Sequence, residues 1–171
     1  MVKPQMPQMV YDDRMWSLIR EKLGNDIPLA VEIGTRYGHW AEGLVNNFSV
    51  NCLFCIDTWP NSRWHVAKEW FKRLECHVFD TVIPLRGSSS EWAEIIDVRD
   101  INLLFVDGRH TLEAVCCDLE MWWPRVRPGG LAICHDAQSK KVSRAVLEFF
   151  QCELPIFHSG PDHEMAYWII K

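Results

Sequence analysis

Five apolar runs in this chain end in residues that can bind a ligand or move a proton: Glu32-Ile33-Gly34, Asp57-Thr58, Arg86-Gly87-Ser88, Asp107-Gly108 and His135-Asp136. Asp and Gly are common at strand-to-helix turns as caps, but their recurrence after five successive runs gathers acids and histidines at one edge. The most specific stretch is Glu32-Ile33-Gly34-Thr35-Arg36-Tyr37-Gly38. Gly34 lets backbone approach a ligand closely, and Gly38 permits tight packing at the start of a helix. This is not the G-x-G-x-x-G pattern that brings a pyrophosphate to backbone amides, because Glu32 just ahead of the loop repels such an anion. A carboxylate there suits a ligand carrying an ammonium or sulfonium. Asp57, ending the next run, can accept hydrogen bonds from both hydroxyls of a ribose. Gly87, Ser88 and Ser89 offer small residues and hydroxyls suited to an adenine edge, while Ser89 or Ser90 can equally cap a helix starting at Glu91.

The elements that must position these residues follow from periodicity. An amphipathic helix is expected over YDDRMWSLIREKL, residues 11–23, with Trp16, Ile19 and Leu23 near one face and Gly24-Asn25 as its stop. Beyond it, strands and helices alternate: PLAVEIG then TRYGHWAEGLVNNF, VNCLFCID then a tryptophan-rich helix from about Arg63 to Leu74, TVIPLR then SSSEWAEII, INLLFVDG then HTLEAVCCDLEMWW, and LAICHD then KKVSRAVLEFF. Pro128-Gly129-Gly130 reads as a turn launching the fifth strand. Such alternation predicts a doubly wound α/β fold with a mostly parallel sheet, whose ligands bind outside the carboxyl ends of the strands. The tail breaks the rhythm: two apolar runs flank Ser159-Gly160-Pro161-Asp162, which predicts an antiparallel hairpin. A length of 171 residues suits one domain over 1–171, a helix at 11–24 followed by an α/β core at 28–171.

Composition narrows the class of function. Hydrophobic residues at 48% and charged residues at 24% are those of a soluble globular chain, no run is long enough to span a bilayer, and the N-terminus lacks the apolar core of a secretory signal. The expected location is the cytosol, away from membranes. A net charge of -5 argues against a broad phosphate-binding surface, and the tryptophans lack interleaved Lys and Arg, so nucleic acid is not the expected partner. Cys52 and Cys55 form a C-x-x-C within a strand, where residues three apart face opposite sides and cannot grip one ion. Cys116 and Cys117 diverge around a helix, and Cys76, Cys134 and Cys152 are isolated. All seven read as small buried hydrophobes in a reducing compartment.

The stretches VEIGTRYG, LFCID, INLLFVDGRHTLEAVCCDLEMWWPRVRPGGLAICHD and KKVSRAVLEFF together resemble the class I S-adenosylmethionine-dependent methyltransferases, in the branch related to small-molecule and sugar O-methyltransferases. The resemblance covers residues 30–150, and its most specific piece is VDGRH, a helix carrying Asp118 and Trp122-Trp123-Pro124, then RPGG and HD. It implies a Rossmann-like seven-stranded sheet with the last strand antiparallel, and S-adenosylmethionine as cofactor, a molecule with both an ammonium and a sulfonium. Carried over by position, the cofactor acid is Glu32, the loop glycines are Gly34 and Gly38, and the ribose acid is Asp57. Thr35, Arg36, His39, Thr58, Asp107 and Gly108 complete the cofactor loops. Relatives often have Gly-Asp before an adenine-contacting serine; here Gly87-Ser88 precedes Ser89, so the aspartate is missing.

The same resemblance makes Asp107, His110, His135 and Asp136 the catalytic cluster. An acceptor hydroxyl is a poor nucleophile until it loses its proton, so O-methylation gains from a base or from a divalent cation that lowers the hydroxyl's pKa. Asp107 and Asp136 offer hard oxygens to an ion such as Mg²⁺. Metal-using relatives commonly carry adjacent acids or Asp-Asn after the fifth strand, whereas Asp136 is flanked by His135 and Ala137. An imidazole ordinarily titrates near neutrality, which makes His110 and His135 the alternative for acid–base work. His39 lines the site; Trp59, Trp64, His65 and Trp70 can wall an acceptor pocket, though packing of helix against sheet is their expected use. The expected acceptor is a small molecule, and a chain with few lid residues can use a neighbouring subunit to close its pocket, which makes a homodimer an expectation. Two other readings stand beside this one. A degenerate cofactor-binding or scaffold protein would keep the fold, and a nicotinamide-dependent enzyme has the missing third glycine and Glu32 against it.

Overall fold

The strand that reads as the most continuous apolar run, INLLFV, is buried along its whole length in the computed structural model, which describes residues 13–158 and 164–171. A strand covered on both faces needs no polar alternation. Around it the chain builds helix α1 (Asp13–Leu23), β1 (Asp26–Ile33), α2 (His39–Asn47), β2 (Ser49–Asp57), α3 (Trp64–Leu74), β3 (Val82–Arg86), α4 (Ser89–Ile95), β4 (Ile101–Val106), α5 (Leu112–Trp122), β5 (Val126–Cys134), α6 (Lys140–Phe150), β6 (Ile156–His158) and β7 (Met165–Ile170). The strands form one seven-stranded sheet in the order β3-β2-β1-β4-β5-β7-β6. Strands β1 to β5 pair in parallel, and β7 lies antiparallel between β5 and β6. This is the mostly parallel, Rossmann-like α/β sheet with an antiparallel C-terminal hairpin that the alternation predicts. Among the described residues no helix is long and apolar enough to cross a membrane.

Two apolar layers sandwich the sheet. On one face α1, α2 and α3 bury Trp16, Trp40 and Trp70, and the Trp40 ring stacks on Phe105 of β4 with centroids 4.2 Å apart. On the other, α4, α5 and α6 bury Ala93, Leu119, Trp122 and Ala145. The chain order reverses between β1 and β4, the two central strands, so a crevice opens beyond their carboxyl ends. Hydrogen bonds continue the sheet past those ends: Gly34 N–H donates to the Ile56 carbonyl, Gly87 to Asp57, Asp107 to Ile33 and His135 to Val106, at 2.8 to 2.9 Å. The acids that end the strands therefore emerge side by side.

The structure departs from the sequence expectations in three places. Strand β5 starts at Val126, so Pro128-Gly129-Gly130 lies within it as a bulge: Ile101 pairs with Val126 but Leu103 with Leu131. The looped-out backbone pairs with the chain end, Gly129 N–H donating to the Lys171 carbonyl and Lys171 N–H to Gly130. Helix α4 is capped by Ser88 and not by Ser89 or Ser90, because Ser88 and Glu91 complete a reciprocal capping box. Cys76 and Cys152 are exposed, and of the seven cysteines only Cys55 and Cys134 are fully buried. The predicted helix α1 is seen from Asp13; its first two expected residues, and the turn cluster at 159–162, lie outside the described residues.

Candidate active site

The β1–α2 loop turns sharply because the end of β4 leaves no room for a side chain. Gly34 has φ +89°, and a Cβ there would stand 2.1 Å from the Asp107 carbonyl oxygen. Gly38, at φ +77° ahead of α2, faces Trp70, whose Cδ1 would lie 2.7 Å from a Cβ. The Trp70 indole donates to Thr35 Oγ1 at 2.8 Å, and the Trp59 indole to the Arg36 carbonyl at 3.0 Å. Asp57 then ties two loops together: Oδ2 accepts from Arg36 N–H at 2.9 Å and Oδ1 from Trp59 N–H at 2.8 Å. Arg36 and Trp59 are both non-glycine residues with positive φ, a strain these hydrogen bonds hold in place.

Above this loop lies a cavity of about 1100 Å³. Every residue expected to hold a cofactor lines it except Glu32 and Gly38. Glu32 sits beneath the loop, 2% exposed, where Cys55 Sγ donates to its Oε2 at 3.3 Å. Burial pushes its carboxyl up to about 8, against the pull of hydrogen bonds from Thr35 and Cys55, and the charges of Asp107 and Asp57 push the same way. It is thus a largely protonated group supporting the floor. Of the tryptophan and histidine walls, Trp59 and His65 line the cavity; Trp70 is fully buried, and Trp64 is half-exposed beneath the Arg86 guanidinium.

At the β4/β5 end, all four expected catalytic residues meet. His110 Nε2 stands 3.2 Å from Asp107 Oδ1 and 3.1 Å from Asp136 Oδ2. His135, 3% exposed behind them, has Nδ1 3.5 Å from Asp107 Oδ1 and 3.7 Å from Asp136 Oδ1, and Nε2 3.8 Å from Glu164 Oε2. Burial disfavours the His135 cation, but Asp107 and Asp136 outweigh it and raise the imidazole to about 10. His110 is raised by its hydrogen bond to Asp107, with burial opposing and Asp136 adding. The neighbouring His135 imidazole, with His110 adding, holds Asp136 below its ordinary value. Asp107 and His110 line the cavity, with Asp136 and His135 bracing them. Asp136, itself at φ +58°, accepts from Gln138 Nε2 at 2.6 Å, and Gln138 in turn accepts from Met165 N–H. Gln138 and Glu164 escaped the sequence reading: Gln138 lies just past Asp136 in the chain, while Glu164 is brought here by the β5–β7 pairing. One oxygen or nitrogen each from Asp107, His110 and Asp136 lies within 4.8 Å of the others, spacing that suits a divalent ion.

A further wall of the cavity holds an acid to which the sequence reading gave no role. Asp118 of α5 lines the cavity, is 5% exposed, and accepts a short hydrogen bond from Ser89 Oγ. Asp118 lies within α5 and not at a strand end, so only the packing of α5 on α4 reveals it.

A family described as a methyltransferase domain matches residues 31–137. The protein y4gI of Sinorhizobium fredii is 26% identical over 129 residues, which is 70% of this chain but only 14% of that protein's length. Among solved structures, the O-methyltransferase TomG of Streptomyces achromogenes, involved in tomaymycin synthesis and solved with S-adenosylmethionine, is 16% identical with a TM-score of 0.69, over 97% of this chain and 83% of its own. An O-methyltransferase from Bacillus cereus, solved with the demethylated cofactor, is 13% identical with a TM-score of 0.68, over 100% and 83%. At such identities the likeness to the solved structures is one of fold.

Proposed function

The chain belongs to the methyltransferase-domain family, and from that premise we propose that it uses S-adenosylmethionine to methylate a hydroxyl of a small molecule. The observation that carries the proposal is a single cavity at the switch point, with a ribose-type acid and glycine turn at one side and a carboxylate–imidazole cluster at the other. Asp57 keeps two backbone donors and still has lone pairs to accept from ribose hydroxyls. Gly34 lets the loop backbone close over the methionine end. When bound, the cofactor supplies an electrophilic methyl group on a sulfonium.

The chain's own contribution is to place and deprotonate the acceptor. His110, with 42% of its side chain exposed, can take the acceptor's proton while Asp107 and Asp136 hold its ring. His135 offsets the negative charge of the two acids from behind. The Asp107, His110 and Asp136 donors fit a divalent ion as well; these three residues would hold it, and it would lower the pKa of the acceptor hydroxyl.

A thermal-shift comparison tests the cofactor first. S-adenosylhomocysteine should raise Tm and NAD should not; the reverse, or no response to either, overturns the reading. Methyl transfer to a panel of sugars, catechols and small hydroxy acids then tests the acceptor class, and products methylated on nitrogen or carbon would replace the hydroxyl. Cofactor binding with no transfer to any acceptor favours a scaffold role.

A further inference from the structure

Resting on the reading that the cavity holds S-adenosylmethionine, we propose that Asp118, anchored by Ser89, selects the adenine base by accepting a hydrogen bond from its exocyclic amine. The position follows from the loop geometry. Gly87 N–H donates to the Asp57 carbonyl at 2.9 Å, so the loop after β3 lies directly beside the ribose acid. Two residues further on, Ser89 reaches Asp118. Ile56, Ala114 and Cys117 line the cavity with Asp118 and give a flat ring apolar neighbours.

Ser88 and Asp57, the neighbouring acceptors, already have protein partners. Ser88 gives its N–H and hydroxyl to Glu91, with Glu91 N–H bonded back to the hydroxyl. Both oxygens of Asp57 receive backbone donors. Asp118 is different: Ser89 is its hydrogen-bond donor among the described residues, and that bond reaches Oδ1. Oδ2 lies against Gly108, 3.3 Å from where a Cβ would stand. A carboxylate only 5% exposed gains from each further donor that reaches it, and burial raises this one to about 6 despite Ser89. An amine arriving from the cavity supplies a second donor beside Ser89. Hypoxanthine, with a carbonyl at that position, sets two acceptors against each other.

The test is calorimetric titration of S-adenosylhomocysteine and of S-inosylhomocysteine, in which that amine is a carbonyl, into the wild-type chain, Asp118→Ala, Asp118→Leu and Asp118→Asn. The readout is the ratio of the two affinities, which a steric effect common to both ligands leaves alone. Wild type should favour the adenine compound by about tenfold or more. Asp118→Ala and Asp118→Leu should bring the ratio near one, and either suffices if the other does not fold, while Asp118→Asn, which keeps an acceptor oxygen, should retain part of it. A ratio preserved in the Ala or Leu variant, or a wild type without preference, overturns the assignment and leaves the cofactor reading standing. A wild type that binds neither compound overturns both.

Discussion

The carbonyl oxygen of Asp107 occupies the place where a side chain at Gly34 would begin, 2.1 Å from the position of its Cβ. The glycine is thus required by the sheet before any ligand arrives. Ends of β1 and β4 this close set the crevice at the point where strand order reverses, and they bring the loop that holds Asp57 beside the acid cluster on β4 and β5.

Gly34→Ala should therefore lose stability and cofactor together. The left-handed backbone alone costs about 1–2 kcal/mol for a residue with a Cβ, and displacing Asp107 adds to it. Urea unfolding should show a lower midpoint with an unchanged slope. A midpoint equal to wild type would mean that the loop can move away at no cost, and that the glycine serves only the ligand.

Much of this arrangement could be read in the chain before folding. Strand-end acids are legible because a parallel strand buried on both faces ends abruptly in polar residues, as LFCID ends at Asp57 and INLLFVDG at Asp107. What stayed hidden depends on tertiary packing. Asp118 enters the cavity only because α5 packs on α4 and meets Ser89. Glu164 reaches His135 only through the strand β7 inserted beside β5. Glu32 was legible as an acid beside the loop, but its neighbours Cys55 and Thr35, which place it under the floor, come from the register with β2 and from the loop's turn. Ser88 and not Ser89 or Ser90 is the cap because Glu91 sits three residues after it, the spacing a reciprocal capping box needs and one that Ser89 and Ser90 lack.

Glu32 should impose a pH dependence on folding. Its carboxyl is raised from 4.5 to about 8, so the folded chain binds a proton that the unfolded chain has released between those values. Its contribution is full below the unfolded pKa and is lost as pH rises through the folded one. Linkage puts the loss at roughly 2–3 kcal/mol between pH 5 and pH 7. Glu32→Gln should flatten this portion of the stability profile and overtake wild type above neutrality. Parallel profiles for the two proteins would mean that Glu32 ionises normally.

His110→Ala should lower kcat by about a hundredfold or more while leaving cofactor affinity nearly unchanged, since the ribose and base contacts lie elsewhere. A base acts when deprotonated, and Asp107 raises His110 above 6.5, so wild-type activity should fall as pH drops through a value above 6.5. The variant should lack that limb. EDTA separates the imidazole from an ion: loss of activity restored by Mg²⁺ would assign the role to a metal held by Asp107, His110 and Asp136, and survival leaves it with His110.

Asp57 makes two separable contributions, and its variants should divide them. Its carboxylate accepts from Arg36 N–H and Trp59 N–H, both on residues with positive φ, so it stabilises the loops before it meets a ligand. Asp57→Ala strands these donors, which should cost about 1–2 kcal/mol in unfolding free energy, and it also removes the partner of the ribose hydroxyls, which should weaken cofactor binding by about 1–3 kcal/mol. Asp57→Asn keeps one carbonyl acceptor but turns an N–H toward the other backbone donor, so it should recover part of the stability and little of the affinity. Calorimetric titration with S-adenosylhomocysteine beside urea unfolding reads both quantities on the same samples. If the alanine variant unfolds at a lower midpoint yet binds as tightly as wild type, Asp57 is a loop tie alone, and the ribose must be held by another group on the cavity wall.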